Sequence, residues 1–213
     1  MATEGKLHVV TTLMEMTNHP PRPPTSPPKG VLALLHARRP TVSFYRYLYN
    51  TAGEAWFWWE RRGIDDDELL RIIHNDLVEI YVLYVDGVPG AFAELDLREL
   101  RQTGRIDLSH VAALPEFLGR GYGHYILTWT IDTAWRHEPK RLTVTARSLD
   151  HPRAAALLQR LGFTPCEQHE AEIEDPRRSG LIPPSTPLPK GAVDHPPVDD
   201  PISDTVSRLP PRH

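Results

Sequence analysis

The chain has 213 residues, 40% of them hydrophobic and 24% charged, enough for one ordinary core with appendages. A net charge of −4 leaves no global basic field for nucleic acid or anionic lipid, and no apolar run approaches the ~18 residues of a membrane helix. The single cysteine, Cys166, excludes an intramolecular disulfide and fits a reducing cytoplasm, and Met1–Thr12 lacks the basic start and apolar core of a secretory signal.

Leu7–Met16 alternates loosely and carries Val9, Val10, Thr11 and Thr12, which reads as an opening strand. Residues 20–28, Pro-Pro-Arg-Pro-Pro-Thr-Ser-Pro-Pro, read as a stiff surface connector or a ligand for a proline-binding module. Val31–Arg39 is short and ambiguous. Thr41 or Ser43 offers a cap for a helix over Phe44–Asn50, with Gly53 as its stop. The run Trp56-Phe57-Trp58-Trp59 holds more bulky rings than one core face accepts, so some of them are candidates to line a cleft. Asp65–Glu68 opens a helix with Leu69, Ile72 and Ile73 on its apolar face, the acids suiting the positive end of the dipole. Val78–Val85 and Pro89–Leu97 are strands joined by the hairpin signal Asp86-Gly87, and Ile106–Leu114 is the next strand. The three are expected to be antiparallel.

The third strand feeds Pro115-Glu116-Phe117-Leu118-Gly119-Arg120-Gly121-Tyr122-Gly123. A helix follows, with Leu127, Ile131, Ala134 and Trp135 on one face. Glycines let a backbone turn sharply and approach a ligand, and N–H groups at a helix start receive an anion. The spacing is not that of a dinucleotide fingerprint, because His124 or Ile126 stands where the last glycine is needed. No Gly-Lys-Ser/Thr triplet makes it a P-loop either. Beyond it lie a strand over Lys140–Arg147, Asp150 as a helix cap before Pro152, and a helix with Ala154, Leu157, Leu158 and Leu161 on one face. Gly162 ends that helix, and Glu167–Ile173 is a last strand. Cys166, just after that turn, reads as a packed core residue. Ten of the 22 prolines lie from Pro176 onward with no aromatic residue among them, so residues 178–213 are expected to form a disordered tail behind a domain of residues 1–177.

The glycine loop resembles the acyl-CoA loop of the GCN5-related N-acetyltransferase (GNAT) superfamily, Arg/Gln-x-x-Gly-x-Gly/Ala, with Gly121 and Gly123 at the small positions and Leu118 where Arg or Gln is usual. Asp150–Phe163 is similar to the family's Asn-x-x-Ala-x-x-x-Tyr-x-x-x-Gly-Phe segment. Ala154, Gly162 and Phe163 match, while His151 takes the Asn place and Leu158 the Tyr place. His8–Thr12, Phe44–Tyr49, Trp58-Trp59-Glu60, Pro115-Glu116-Phe117 and Leu149–Pro152 resemble a bacterial branch of the superfamily.

The resemblance implies an α/β (α+β type) fold: a mixed, mostly antiparallel sheet of six or seven strands with helices on both faces. It implies an acetyl-CoA-dependent N-acetyltransferase with an amine acceptor. Val111, Ala112 and Ala113 would lie beside the pantetheine arm. Leu118, Gly119, Arg120, Gly121, Tyr122, Gly123 and His124 would surround the pyrophosphate, and His151 is counted with this set. Glu94, Asp107 and His110 are the candidate bases, Glu94 through a pKa raised by partial burial. Leu158 has no proton to give, which leaves Ser148, His151 or Tyr125 as candidate acids. Two other readings stand beside this one: an acyl-CoA-binding module without transferase activity, and a proline-rich interaction protein on the same scaffold. The oligomeric state is left open, a homodimer included.

Overall fold

A computed structural model describes residues 5–23 and 25–190. Its strands are β1 (Lys6–Met16), β2 (Leu32–His36), β3 (Val78–Val85), β4 (Val88–Asp96), β5 (Arg105–Ala113), β6 (Arg141–Arg147) and β7 (Thr164–Glu174). The helices are α1 (Val42–Gly53), α2 (Asp66–Ile73), a single turn α3 (Leu100–Thr103), α4 (Tyr122–Trp135) and α5 (Ala154–Arg160), with 3-10 turns at Glu54–Trp56 and Pro115–Phe117.

Local chemistry accounts for the boundaries. Thr41 Oγ1 accepts the N–H of Phe44 at 3.2 Å and caps α1, and an Asp65 oxygen accepts that of Glu68 at 2.7 Å and caps α2. Asp86 and Gly87, at φ 51° and 89°, form the hairpin turn between β3 and β4. The ambiguous stretch after the connector is the edge strand β2.

The seven strands run in the order β2-β3-β4-β5-β6-β1-β7. All neighbours are antiparallel except β5 and β6. The opening strand thus sits between β6 and β7. Helices cover both faces. On one, α1 and α2 bury Tyr45, Leu48, Tyr49, Leu69 and Ile73 against Val78, Ile80, Val82 and Phe92. On the other, α4 buries Ile126, Leu127, Ile131 and Ala134 against β4, β5 and β6. The connector lies along α4: Arg22 donates to the carbonyl of Thr128 at 2.9 Å, and the Tyr122 hydroxyl donates to that of Lys29 at 2.7 Å.

Three expectations are corrected. Residues 178–190 are packed rather than disordered: Ile182 is fully buried with Leu7, Val9, Phe57 and Leu149, and Leu188 lies against them. The composition has few core formers, but the domain supplies the apolar surface that two aliphatic side chains need. Residues 191–213 lie outside the described residues. Cys166 is exposed, because β7 is an edge strand that pairs only with β1 and has almost every side chain in solvent. Asp150 does not cap α5; its carboxylate turns the other way, to the N–H of Arg147 at 2.7 Å and Nε1 of Trp58 at 3.3 Å. No helix among the described residues is long and apolar enough to cross a membrane.

Candidate active site

The site begins as a failure of strand pairing. Parallel β5 and β6 pair only from Arg105/Arg141 to Leu108/Val144. On its other side β5 stays paired to β4 through Ala113, with a bulge that sets Leu108 opposite Leu95 and His110 opposite Glu94, leaving Ser109 as the extra residue. A bulge bends its strand and increases the local twist, and here it coincides with the divergence of β5 from β6. From Ser109 on, the β6-facing polar groups of β5 have no strand partner. Two cavities, of about 410 and 370 Å³, open at this divergence, and Ser109, His110, Thr145 and Arg147 line both.

The first cavity is walled by Val111, Ala112 and Ala113 of β5, by Leu118, Gly119, Gly121, Gly123 and His124 of the glycine loop and α4, and by α5. Gly119 and Gly121 adopt φ 74° and 90°, which side-chain-bearing residues rarely do. In this turn the six N–H groups from Gly119 to His124 make no hydrogen bond among the described residues. Three of them are the unsatisfied first-turn donors of α4. The loop therefore offers a row of donors at a positive helix end, and its chemistry fits a pyrophosphate. Arg153, at the N-cap of α5, and Arg160, at its end, line the same cavity, and neither has an ion-pair partner among the described residues. His151 also lines it, its ring edge-on to Trp56 at 5.2 Å. Burial, and the nearby Arg153 charge, push its pKa down, so it is neutral at neutral pH.

The second cavity is bounded by Val9 and Thr11 of β1, Trp59, Glu60 and Arg61, Asp107 of β5, and Ala171 and Ile173 of β7. The aromatic run divides between core and cavities. Trp56 and Trp58 line the first cavity, Trp59 the second, and Phe57 is buried in the core. A φ of 54° at Phe57 redirects the chain between them.

Between the cavities, and behind them, lies a buried polar group. Glu94 is fully buried and accepts from Tyr45 Oη at 2.6 Å and from Arg61 at 2.7 Å. Nδ1 of His110 stands 3.7 Å from Oε2, the oxygen that also accepts from Tyr45, beyond hydrogen-bond distance. The expectation of a raised pKa is overturned. Burial does push the carboxyl up, but the imidazole of His110, the Arg61 guanidinium and the Tyr45 hydroxyl outweigh it and hold Glu94 at about 2. Glu94 lines neither cavity and is a fixed charge rather than a base. Burial, and then the charge of Glu94, drive the Tyr45 phenol well above its usual range, so it stays a donor. The His110 ring is held between Trp58 and Tyr49, both 5.1 Å away between centroids. Nδ1 is buried without a hydrogen-bond partner, and the ring lines both cavities.

Several sequence candidates are not brought there. Ser148 Oγ accepts the N–H of Val10 at 3.1 Å and lines neither cavity, because the hydrogen bonds of β6 with β1 turn it to that side. Arg120 stands over Phe117, 6.0 Å from the ring centroid, and Tyr122 is buried with its hydroxyl on Lys29. Both contribute backbone donors only. Tyr125 lines neither cavity, nor does any other tyrosine among the described residues. Asp107 is in the second cavity, accepting from Ser109 Oγ at 2.9 Å and Thr143 Oγ1 at 2.8 Å. Arg61, Arg153 and Arg160 were missed. The two α5 arginines carried a signal, since a spacing of seven is two helical turns and sets them on one face.

The model of the acetyltransferase (GNAT) family matches residues 43–163. A GCN5-related N-acetyltransferase from Sphaerobacter thermophilus is similar with a TM-score of 0.56 at 15% identity, over 79% of this chain and 53% of that one. Another from Kribbella flavida has a TM-score of 0.51 at 17% identity, over 81% and 60%. The ribosomal-protein-S18-alanine N-acetyltransferase of Escherichia coli has a TM-score of 0.52 at 15% identity, over 64% and 80%. At these identities the likeness is one of fold, and the chain spans little more than half the length of the first two. Among curated proteins none matches.

Proposed function

The chain belongs to the acetyltransferase (GNAT) family, and we propose that it transfers the acetyl group of acetyl-CoA directly to an amine of a small molecule or peptide. One observation carries this reading: His110 lines both cavities at the strand divergence, with six unpaired N–H donors on one side of it. The first cavity would hold the acetyl-CoA, its pyrophosphate on the donors from Gly119 to His124 and its remaining phosphate toward Arg153 and Arg160. A helix dipole alone contributes only about 0.3–2 kcal/mol to anion binding, so the row of donors must act together. The second cavity would hold the amine.

In this reading His110 takes the proton of the attacking amine, its ring held in place between Trp58 and Tyr49. A C–N bond forms at the acetyl carbon while its C–S bond breaks. The N–H groups of β5 left without a strand partner stabilise the oxygen charge. The thiolate leaves as such, since a thiol pKa lies near ~8.5, and His110 returns the proton to sulfur. One histidine at the junction thereby serves both halves of the transfer.

Isothermal titration with acetyl-CoA tests the first cavity, and thiol release across a panel of amines tests the transfer. Absence of binding would overturn the whole proposal. Binding without thiol release would establish the second reading, an acyl-CoA-binding module. Leu158 in the first cavity, and no tyrosine among the described residues lining either cavity, favour that reading.

A further inference from the structure

The charges lining the second cavity are not all paired. Its two arginines are each already committed to a carboxylate: Arg61 to Glu94 at 2.7 Å, and Arg147 to Glu60 at 2.6 Å. Arg147 also lies over the Trp59 ring, 5.1 Å from its centroid, which holds that pair in place. The carboxylate left over is Asp107. Its partners are two neutral hydroxyls, those of Ser109 and Thr143, and no cation pairs with it among the described residues. A carboxylate has about four acceptor positions, so Asp107 keeps capacity for a further donor. Asp107 is therefore the one charged group of this lining without an ion-pair partner, in a space of about 370 Å³ that ends at His110.

This bears on the acceptor. The reacting nitrogen must be neutral when it attacks, so it cannot be the group that balances Asp107. An acceptor bearing a carboxylate would meet guanidinium groups already neutralised, and would lie beside Asp107 and Glu60. Asp107 and His110 lie three residues apart on one strand, roughly 10 Å at the usual ~3.3 Å rise and less with the bulge. Val9, Ala171 and Ile173 supply apolar wall for a chain of methylenes.

Building on the proposed transfer, we infer that the acceptor is an aliphatic diamine or polyamine, with one ammonium held by Asp107 while a second, neutral nitrogen is acetylated beside His110. Asp107 is then a specificity residue, not a base.

The experiment compares thiol release from acetyl-CoA with an unbranched aliphatic diamine, the monoamine of equal chain length and the corresponding ω-amino acid. The expected order of kcat/KM is diamine, monoamine, amino acid, with roughly a tenfold or larger step from diamine to monoamine, as a charge-assisted hydrogen bond supplies. Asp107→Asn, which keeps the shape and the hydroxyl partners, should collapse the diamine-to-monoamine ratio toward one. Equal or better turnover of the monoamine or amino acid by the natural chain would overturn the inference and leave the transferase reading intact. So would a ratio that persists in Asp107→Asn while both rates fall, since that is the behaviour of a base. If no amine is turned over, the transferase reading fails. Calorimetry of the diamine against the natural chain and Asp107→Asn then decides separately: affinity lost in the variant supports the anchor, and equal or absent affinity overturns it.

Discussion

The two cavities meet at His110 yet are built on opposite principles. The first is lined largely by glycine, alanine and leucine, and its polar capacity is unspent: bare N–H groups from Gly119 to His124 and the unpaired Arg153 and Arg160. In the second, most charges are spent on one another, through Arg61 with Glu94 and Arg147 with Glu60. The difference teaches how to read each surface. In the proposed reading, unspent donors mark where a large anion is received, and spent ion pairs form a wall whose selectivity rests on whatever charge is left over.

The contrast breaks most sharply at the residue the cavities share. His110→Gln is expected to lower kcat by about 100- to 10,000-fold, the usual range for loss of a positioned acid–base group, with a far smaller change in acetyl-CoA affinity by calorimetry. A fall in affinity as large as that in kcat would make His110 a wall of the first cavity only. Next is Gly121→Trp. It forces a bulky residue into a positive-φ position and fills the loop, and is expected to weaken acetyl-CoA binding by roughly 100-fold or more. Unchanged affinity would remove the loop from the site.

Glu94 tests the spent side through pH. Its pKa falls from 4.5 to about 2 on folding, so the stability it contributes is complete above the unfolded value and is lost as pH drops through that window toward 2. Thermal melts should show a loss of a few kcal/mol across that range, and Glu94→Gln should be less stable at neutral pH with a flatter acid limb. An unaltered limb would mean that the buried pair is not what holds this wall. The smallest effect is expected for Arg153→Ala with Arg160→Ala. Paired substitution should weaken acetyl-CoA about tenfold and progressively less at high salt, as screening of exposed charges requires. A salt-independent loss would point to packing against α5 instead.

Much of the fold was legible because its signals are local. Thr41 and Asp65 as caps, Asp86-Gly87 as a turn, the alternation of β3 to β5 and the apolar stripe of α4 each depend on residues a few positions apart. The glycine loop was legible for the same reason, since positive φ at Gly119 and Gly121 is a property of the turn itself. What escaped is what depends on distant partners. Glu94 in an apolar strand looked like a carboxyl with a raised pKa. The approach of His110 across the sheet, with Arg61 and Tyr45 from the α1–α2 region, reverses the sign. Ser148 looked like a strand-end hydroxyl at the cleft, but β1, more than a hundred residues earlier, claims it. The short apolar side chains of 178–190 looked too few to order that segment until Phe57 and Leu149 gave them a surface.

By itself, then, the sequence determined the type and order of most elements, the glycine turn that opens α4 and the family to which they belong. All of these arise from short-range sterics, hydrogen bonding and periodicity. The tertiary structure alone decided where β5 leaves β6, that His110 stands at the junction of two cavities, and which carboxylates are neutralised. Those depend on groups brought together from far along the chain, and a charge's pKa and partners are set by what surrounds it in space.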